Sequence, residues 1–335
     1  MTRTALLFTG GTILMQRGEE GALLPDERAR DLVDELPVLG RLGPLSPRAV
    51  LHLDSGDMQP EHWVTIARAV HEELSHPDVS GVVVLHGTDT MAYTASAVAL
   101  LLGPVDKPVV FTGAQRPLAE ARTDARANLV DACLVARMPV PEVGVAFASR
   151  FLRGARATKR DAWALDAFDS PNLPALVDLG LSEHVAPHVR APAKLGPLDA
   201  RLDPRVLAIR VFPGLDPSSL LRALAAGLRG LVLEGYGTGN LPHLSGSLIP
   251  VLDDARARGV PVVVVSQCPR GAVELGRYEG GLLAERSGAI SGRDMTVEAA
   301  IAKTMIALGR YASYDAQRAF IARDLVGEIS PPQGA

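Results

Sequence analysis

Four short loops and one lysine hold the residues of this chain whose types and spacing suit chemistry. The loops read "TGGTI" (9–13), "LDSGDM" (53–58), "HGTDT" (86–90) and "TGAQRP" (112–117), each dense in Gly, Thr, Ser or Asp. A threonine hydroxyl is a feeble nucleophile until something removes its proton, and a Thr–Lys pair oriented by an Asp supplies a base. Lys159, in "RGARATKRDA", is one of four lysines set against 30 arginines. Arginine stays protonated, so a desolvated lysine is the basic residue suited to that task. Glycines beside the hydroxyl would let backbone N–H groups approach a developing oxyanion. Each feature also has a plainer reading. Gly10 and Gly11 permit a turn, Asp89 and Thr90 cap the helix that follows, and Lys159 is an exposed charge.

What is missing narrows the choice. No G-x-G-x-x-G follows a strand, no GK[ST] occurs, no serine sits in a G-x-S-x-G elbow, and no HExxH is present among eight histidines. Dinucleotide, P-loop, standard α/β-hydrolase and zinc-protease chemistry are therefore not expected, and neither a metal nor another cofactor is implied. His86 ends an apolar run and reads as a satisfied core histidine. A net charge of −4 leaves no basic footprint for nucleic acid. The longest apolar runs, such as "AVALLL" (97–102), fall short of the roughly 18 residues that a membrane span needs. The chain opens directly on a strand-like segment without a signal-peptide pattern, so a cytoplasmic protein is expected. Cys133 and Cys268 are too few for a disulfide framework, and Cys133 reads as a small core residue.

These loops need a frame that sets them side by side. The runs "ALLF" (5–8), "GVVVLHG" (81–87), "PVVFTG" (108–113) and "VGVAFAS" (143–149) are continuously apolar, as strands buried on both faces are. Between them lie helices. "PEHWVTIARAVHEEL" spaces Trp63, Ile66, Ala67, Val70 and Leu74 on one helical face, with Pro60 suited to its first turn. The alternation predicts an α/β fold with a mostly parallel sheet flanked by helices. In such sheets ligands bind beyond the carboxyl ends of the strands, which is where all four loops fall. A proline-rich stretch without periodicity, "EHVAPHVRAPAKLGPLDARLDP", then marks a boundary. We expect a catalytic α/β domain over 1–188, a linker over 189–204 and a smaller α/β domain over 205–335. The second domain repeats the theme with "VLAIRVFPG" (206–214), "GLVLEGYGTGN" (230–240) and "PVVVVSQC" (261–268).

Taken together, the loops resemble the bacterial L-asparaginases, most closely their cytoplasmic type I branch. "TGGTI" and "HGTDT" resemble the two signatures of that family. "DSGDM", "GAQRP", "RGARATK", "DAFDSPNLP", "GYGTGN" and "GRDMTVEA" add to the match across nearly the whole chain. The resemblance implies a two-domain asparaginase-like fold that hydrolyses the side-chain amide of L-asparagine to aspartate and ammonia, with possible weak glutaminase activity. It implies that Thr12 is the nucleophile and that Lys159 and Asp89 polarise Thr88. Asp89 would also hold the substrate's α-amino group, and Asp54, Ser55 and Gly56 its α-carboxylate. Gly11 and Gly87 would lie beside the substrate, and Ala114 would offer a carbonyl to the amide. It further implies a homodimer or homotetramer in which Asn240 completes a neighbour's site. Two departures stand out: the family's tyrosine in the loop after the first threonine is missing from "MQRGEEGALLPDE", and Gly56 replaces a longer polar residue. The alternatives are an amino-acid sensor with degenerate catalysis and the asparaginase-like subunit of a tRNA-dependent amidotransferase.

Overall fold

The computed structural model describes residues 2–11, 15–17, 23–25 and 36–331, with side chains omitted at 15–17 and 23–25. The chain divides into two compact units, Met1–Ala200 and Arg201–Ala335.

The first unit is built on an eight-stranded sheet. Its strands are β1 (Arg3–Gly10), β2 (Leu45–Leu53), β3 (Val79–Leu85), β4 (Val109–Thr112), β5 (Val143–Phe147), β6 (Arg150–Arg153), β7 (Val177–Leu179) and β8 (Glu183–Val185). The spatial order is β8-β7-β6-β5-β4-β3-β1-β2. From β2 to β5 every pairing is parallel, and from β5 to β8 every pairing is antiparallel. The central strands carry the continuous apolar runs because helices cover both faces. Leu6 and Phe8 of β1, with Val83 and Leu85 of β3, pack against Leu129, Ala132 and Cys133 of helix α3 (Ala125–Val135). The intervening Leu7, Val82 and Val84 are fully buried on the opposite face. Helices α1 (Pro60–Ser75) and α2 (Met91–Leu102) also pack on the sheet and contribute nothing to that first cluster. Cys133 is inside the core, as expected, and burial pushes its thiol up to about 12.

Two features of this unit differ from the pattern in the sequence. Strand β2 is an edge strand with Pro47 and a largely solvated surface, so it lacks the apolar run that marks its neighbours. The proline-rich stretch does not hang free. Arg190 N–H donates to Glu142 Oε1 at 2.9 Å, Ala193 N–H to Val105 O at 3.0 Å, and the His71 ring meets Gly196 O at 2.8 Å. Its backbone groups find partners on the first unit as far as Gly196.

The second unit has a parallel four-stranded sheet in the order β9 (Val206–Arg210), β10 (Gly230–Gly235), β11 (Val262–Ser266) and β12 (Ile290–Ser291). Helices α4 (Pro217–Ala225), α5 (Ile249–Ala257), α6 (Glu279–Arg286), α7 (Val297–Arg310) and α8 (Tyr314–Ala322) accompany it. Helix α7 is buried along most of its length, and Thr296 caps it by accepting the Ala299 N–H. Within α7, Lys303 is fully buried and paired with the equally buried Glu328 at 2.5 Å.

Candidate active site

The parallel register sets the carboxyl ends of four strands in a row. Gly10 pairs with Leu53, Phe8 with Leu85, and Leu85 with Thr112. The loops leaving β1, β2, β3 and β4 therefore share one edge of the sheet. They also touch. Gly11 has φ +92°, and a Cβ built there would lie 2.3 Å from Gly87 N. A Cβ on Gly87 would lie 2.4 Å from Ser55 Oγ, so the loops after β1, β2 and β3 approach to a distance only glycine allows. Thr90 Oγ1 adds a bond to Ser55 O at 2.8 Å.

Thr88, Asp89 and Lys159 come together here. Lys159 Nζ donates to Thr88 Oγ1 at 2.8 Å and to Asp89 Oδ1 at 2.7 Å. Thr88 is buried, the Lys159 side chain is largely covered at 19 % exposure, and Asp89 faces outward at 67 %. The helix-cap reading of "TDT" does not hold. Thr90 occupies the N-cap of α2 without a side-chain cap bond, Thr90 Oγ1 is spent on Ser55 and Asp89 Oδ1 accepts from Lys159. The surface-charge reading of Lys159 fails likewise.

Lys159 reaches the site from a short antiparallel pair, Thr158–Lys159 with Phe168–Asp169. Phe168 anchors that pair against Phe147 of β5, with ring centroids 5.0 Å apart. Arg150 donates to Phe168 O at 3.0 Å and also pairs with Asp166. At the tip, Asp161 Oδ1 accepts N–H bonds from Trp163 at 2.7 Å and Ala164 at 2.8 Å, which fixes the turn.

The remaining expected residues are placed as follows. Asp54 caps the short turn after β2, its Oδ1 accepting Gly56 N–H at 2.8 Å, while Ser55 is buried and Gly56 exposed. Ala114 is buried in the loop after β4. Asn240 lies in the second unit, where it closes a turn with Tyr236 through backbone bonds at 2.9 and 3.0 Å. Its Oδ1 is buried and has no hydrogen-bond partner among the described residues. Thr12, the expected nucleophile, lies outside the described residues, as do the side chains of the loop 15–27 from which the family's tyrosine is missing.

One residue of the cluster was not singled out from the sequence. Gln115 Oε1 accepts the Thr88 hydroxyl at 3.0 Å, although "TGAQRP" drew notice only for Ala114. Its loop is pinned by Asp124, whose carboxylate accepts the N–H of Gln115 at 3.0 Å and of Arg116 at 3.1 Å. Beneath them lies His86, fully buried, with Nδ1 2.7 Å from Gly87 O and Nε2 lacking a partner among the described residues. Burial lowers its pKa to about 4, so the ring is neutral near pH 7. Among the described residues no three His, Cys, Asp or Glu side chains group as a metal site would, and no helix is long and apolar enough to cross a membrane.

Two protein-family models match the chain, "Asparaginase, N-terminal" over residues 3–191 and "Glutaminase/Asparaginase C-terminal domain" over residues 205–321. L-asparaginase 1 of Escherichia coli is 37 % identical over 335 aligned residues, covering 97 % of each chain. The solved structure of the thermostable L-asparaginase from Thermococcus kodakarensis matches with a TM-score of 0.89 at 37 % identity, covering 98 % of this chain and 100 % of that one. L-asparaginase I from Vibrio cholerae matches with a TM-score of 0.88 at 33 % identity, covering 98 % and 99 %.

Proposed function

Because the chain belongs to the asparaginase family, we propose that it hydrolyses the side-chain amide of L-asparagine to L-aspartate and ammonia through a threonine nucleophile, with L-glutamine a poor second substrate. The observation that carries this reading is the contact of Lys159 Nζ with both Thr88 Oγ1 and Asp89 Oδ1.

The chemistry divides into two transfers. In the first, the Thr12 hydroxyl oxygen attacks the carboxamide carbon, the C–N bond breaks, and ammonia leaves carrying the hydroxyl's proton. In the second, water attacks the resulting ester, the C–O bond to Thr12 breaks, the proton lost by the water restores the Thr12 hydroxyl, and aspartate departs. A proton leaving an attacking oxygen needs a path. Thr88 Oγ1 offers one once Lys159 has given up a proton: Thr88 then hands its own proton to the Nζ lone pair as it takes up the new one, while Asp89 holds that amine in place. The outward face of Asp89 meets the substrate's ammonium, and the turn Asp54, Ser55, Gly56 receives its carboxylate. Gly11 and Gly87 bring main-chain N–H groups near the oxygen on which charge develops, and the Ala114 carbonyl receives the amide N–H. The working form is a homodimer or homotetramer, with Asn240 of one subunit completing the site of another.

Ammonia release by the purified protein tests the reading. Steady turnover of L-asparagine, with much lower turnover of L-glutamine, is expected. Binding of L-asparagine without ammonia release would instead mark an amino-acid sensor.

A further inference from the structure

The chemistry above gives Gln115 no task, yet its side chain lies between Thr88 and the turn that carries Lys159. Gln115 Oε1 accepts from Thr88 Oγ1 at 3.0 Å, and Nε2 donates to the carbonyls of Ala164 at 3.2 Å and Ala162 at 3.4 Å. The two ends of an amide are not interchangeable here. Turning the group over would set Oε1 against two carbonyl oxygens and its N–H groups against Thr88. Both anchors are themselves held. Asp124 Oδ2 fixes the Gln115 backbone N–H, and Asp161 Oδ1 fixes the turn that presents the two carbonyls.

This arrangement sets the direction of the Thr88 hydroxyl. A hydroxyl has one proton and two lone pairs. While Lys159 donates, the proton goes to Gln115 and one lone pair to Lys159, which leaves the second lone pair with a single direction. Without Gln115 the hydroxyl could turn its proton elsewhere, and the Lys159 turn would lose its bond to the loop after β4. We propose that Gln115 is a positioning residue that acts through Thr88, locking the hydroxyl's orientation and tying the "TGAQRP" loop to the lysine-bearing turn. The proposal rests on the reading of Thr88 as a catalytic residue.

A double-mutant cycle on ammonia release separates the two claims. Gln115→Met keeps the length of the side chain without its donors and acceptor, and Thr88→Val removes the hydroxyl. Gln115→Met is expected to lower kcat by about 10- to 100-fold, as loss of an orienting partner does. KM should stay within about threefold, because substrate contacts are untouched. In the Thr88→Val background the same substitution should cost nothing further. Gln115→Asn, polar but too short to span the gap, should repeat the loss and covers the case in which the methionine variant does not fold. Wild-type kcat in a Gln115 variant, with Thr88→Val impaired, would overturn this proposal and leave the Thr88 reading standing. Additive losses would also overturn it, because Gln115 would then act independently of Thr88. Near-wild-type turnover in Thr88→Val would overturn both.

Discussion

Thr88 differs from other threonines of this chain in what surrounds its hydroxyl. Thr9 donates to Leu85 O, Thr112 to Ala146 O and Thr304 to Ala300 O, all ordinary bonds to backbone carbonyls. The Thr88 hydroxyl instead lies between an ammonium and a side-chain amide. The residue types of this cluster were readable from the sequence, but their partners were read less evenly. The scarcity of lysine pointed to Lys159, and it marks structural positions as well. Lys107 donates to the carbonyls of Leu74 and His76 at the end of α1, and Lys303 sits in a buried ion pair. Gln115 escaped notice because an amide in a strand-end loop is one more polar residue until its neighbour in space is known. His86 was expected to be a satisfied core histidine, and only half of that holds: the ring is buried but only Nδ1 is paired. With its pKa at about 4 when folded against 6.5 ordinarily, the unfolded chain binds the extra proton between those values. Stability from this ring is therefore full above about pH 6.5 and is lost as pH falls towards about 4, by about 3 kcal/mol. Urea unfolding between about pH 7 and about pH 4.5 should show a shallower fall for His86→Gln than for wild type. Parallel falls would contradict the assignment.

At the scale of elements, the buried strands and helix α1 were the easiest to read, because continuous apolar runs and a clean helical face need no tertiary knowledge. Edge strand β2 and buried helix α7 were harder for opposite reasons. The first is too solvated to look like a core strand, and the second buries Glu298 and Lys303, residue types that a sequence alone assigns to a solvated face. The pair Gly10 and Gly11 was noticed as a turn, while its tighter constraint came from neighbouring loops. At Gly11 the left-handed backbone and the closeness of Gly87 N act together. Gly11→Ala should cost about 1–3 kcal/mol of stability, the scale of a strained backbone position. It should also lower kcat, since the loop after β1 must move away from Gly87. Urea midpoints and turnover of that variant check both effects; wild-type turnover would show that the approach of the two loops does not matter to the reaction.

For the whole molecule, the proline-rich stretch announced two units because it breaks every periodicity, and the boundary between Ala200 and Arg201 falls inside it. Its hydrogen bonds to the first unit were not readable, since they depend on carbonyls and a histidine far away in sequence. Assembly was expected on family grounds alone. Light scattering should give the mass of two or four subunits at micromolar concentration, and a monomer active at that concentration would rule out any contribution of Asn240 to a neighbour. The central claim is narrower than assembly: the hydroxyl held by Lys159 takes part in breaking the amide. It is tested most directly by the kcat for ammonia release from saturating L-asparagine by Thr88→Val, using protein whose unfolding midpoint matches wild type. A loss of at least about 100-fold is predicted, the scale of removing a group that moves the proton, whereas turnover within about threefold of wild type would contradict the account.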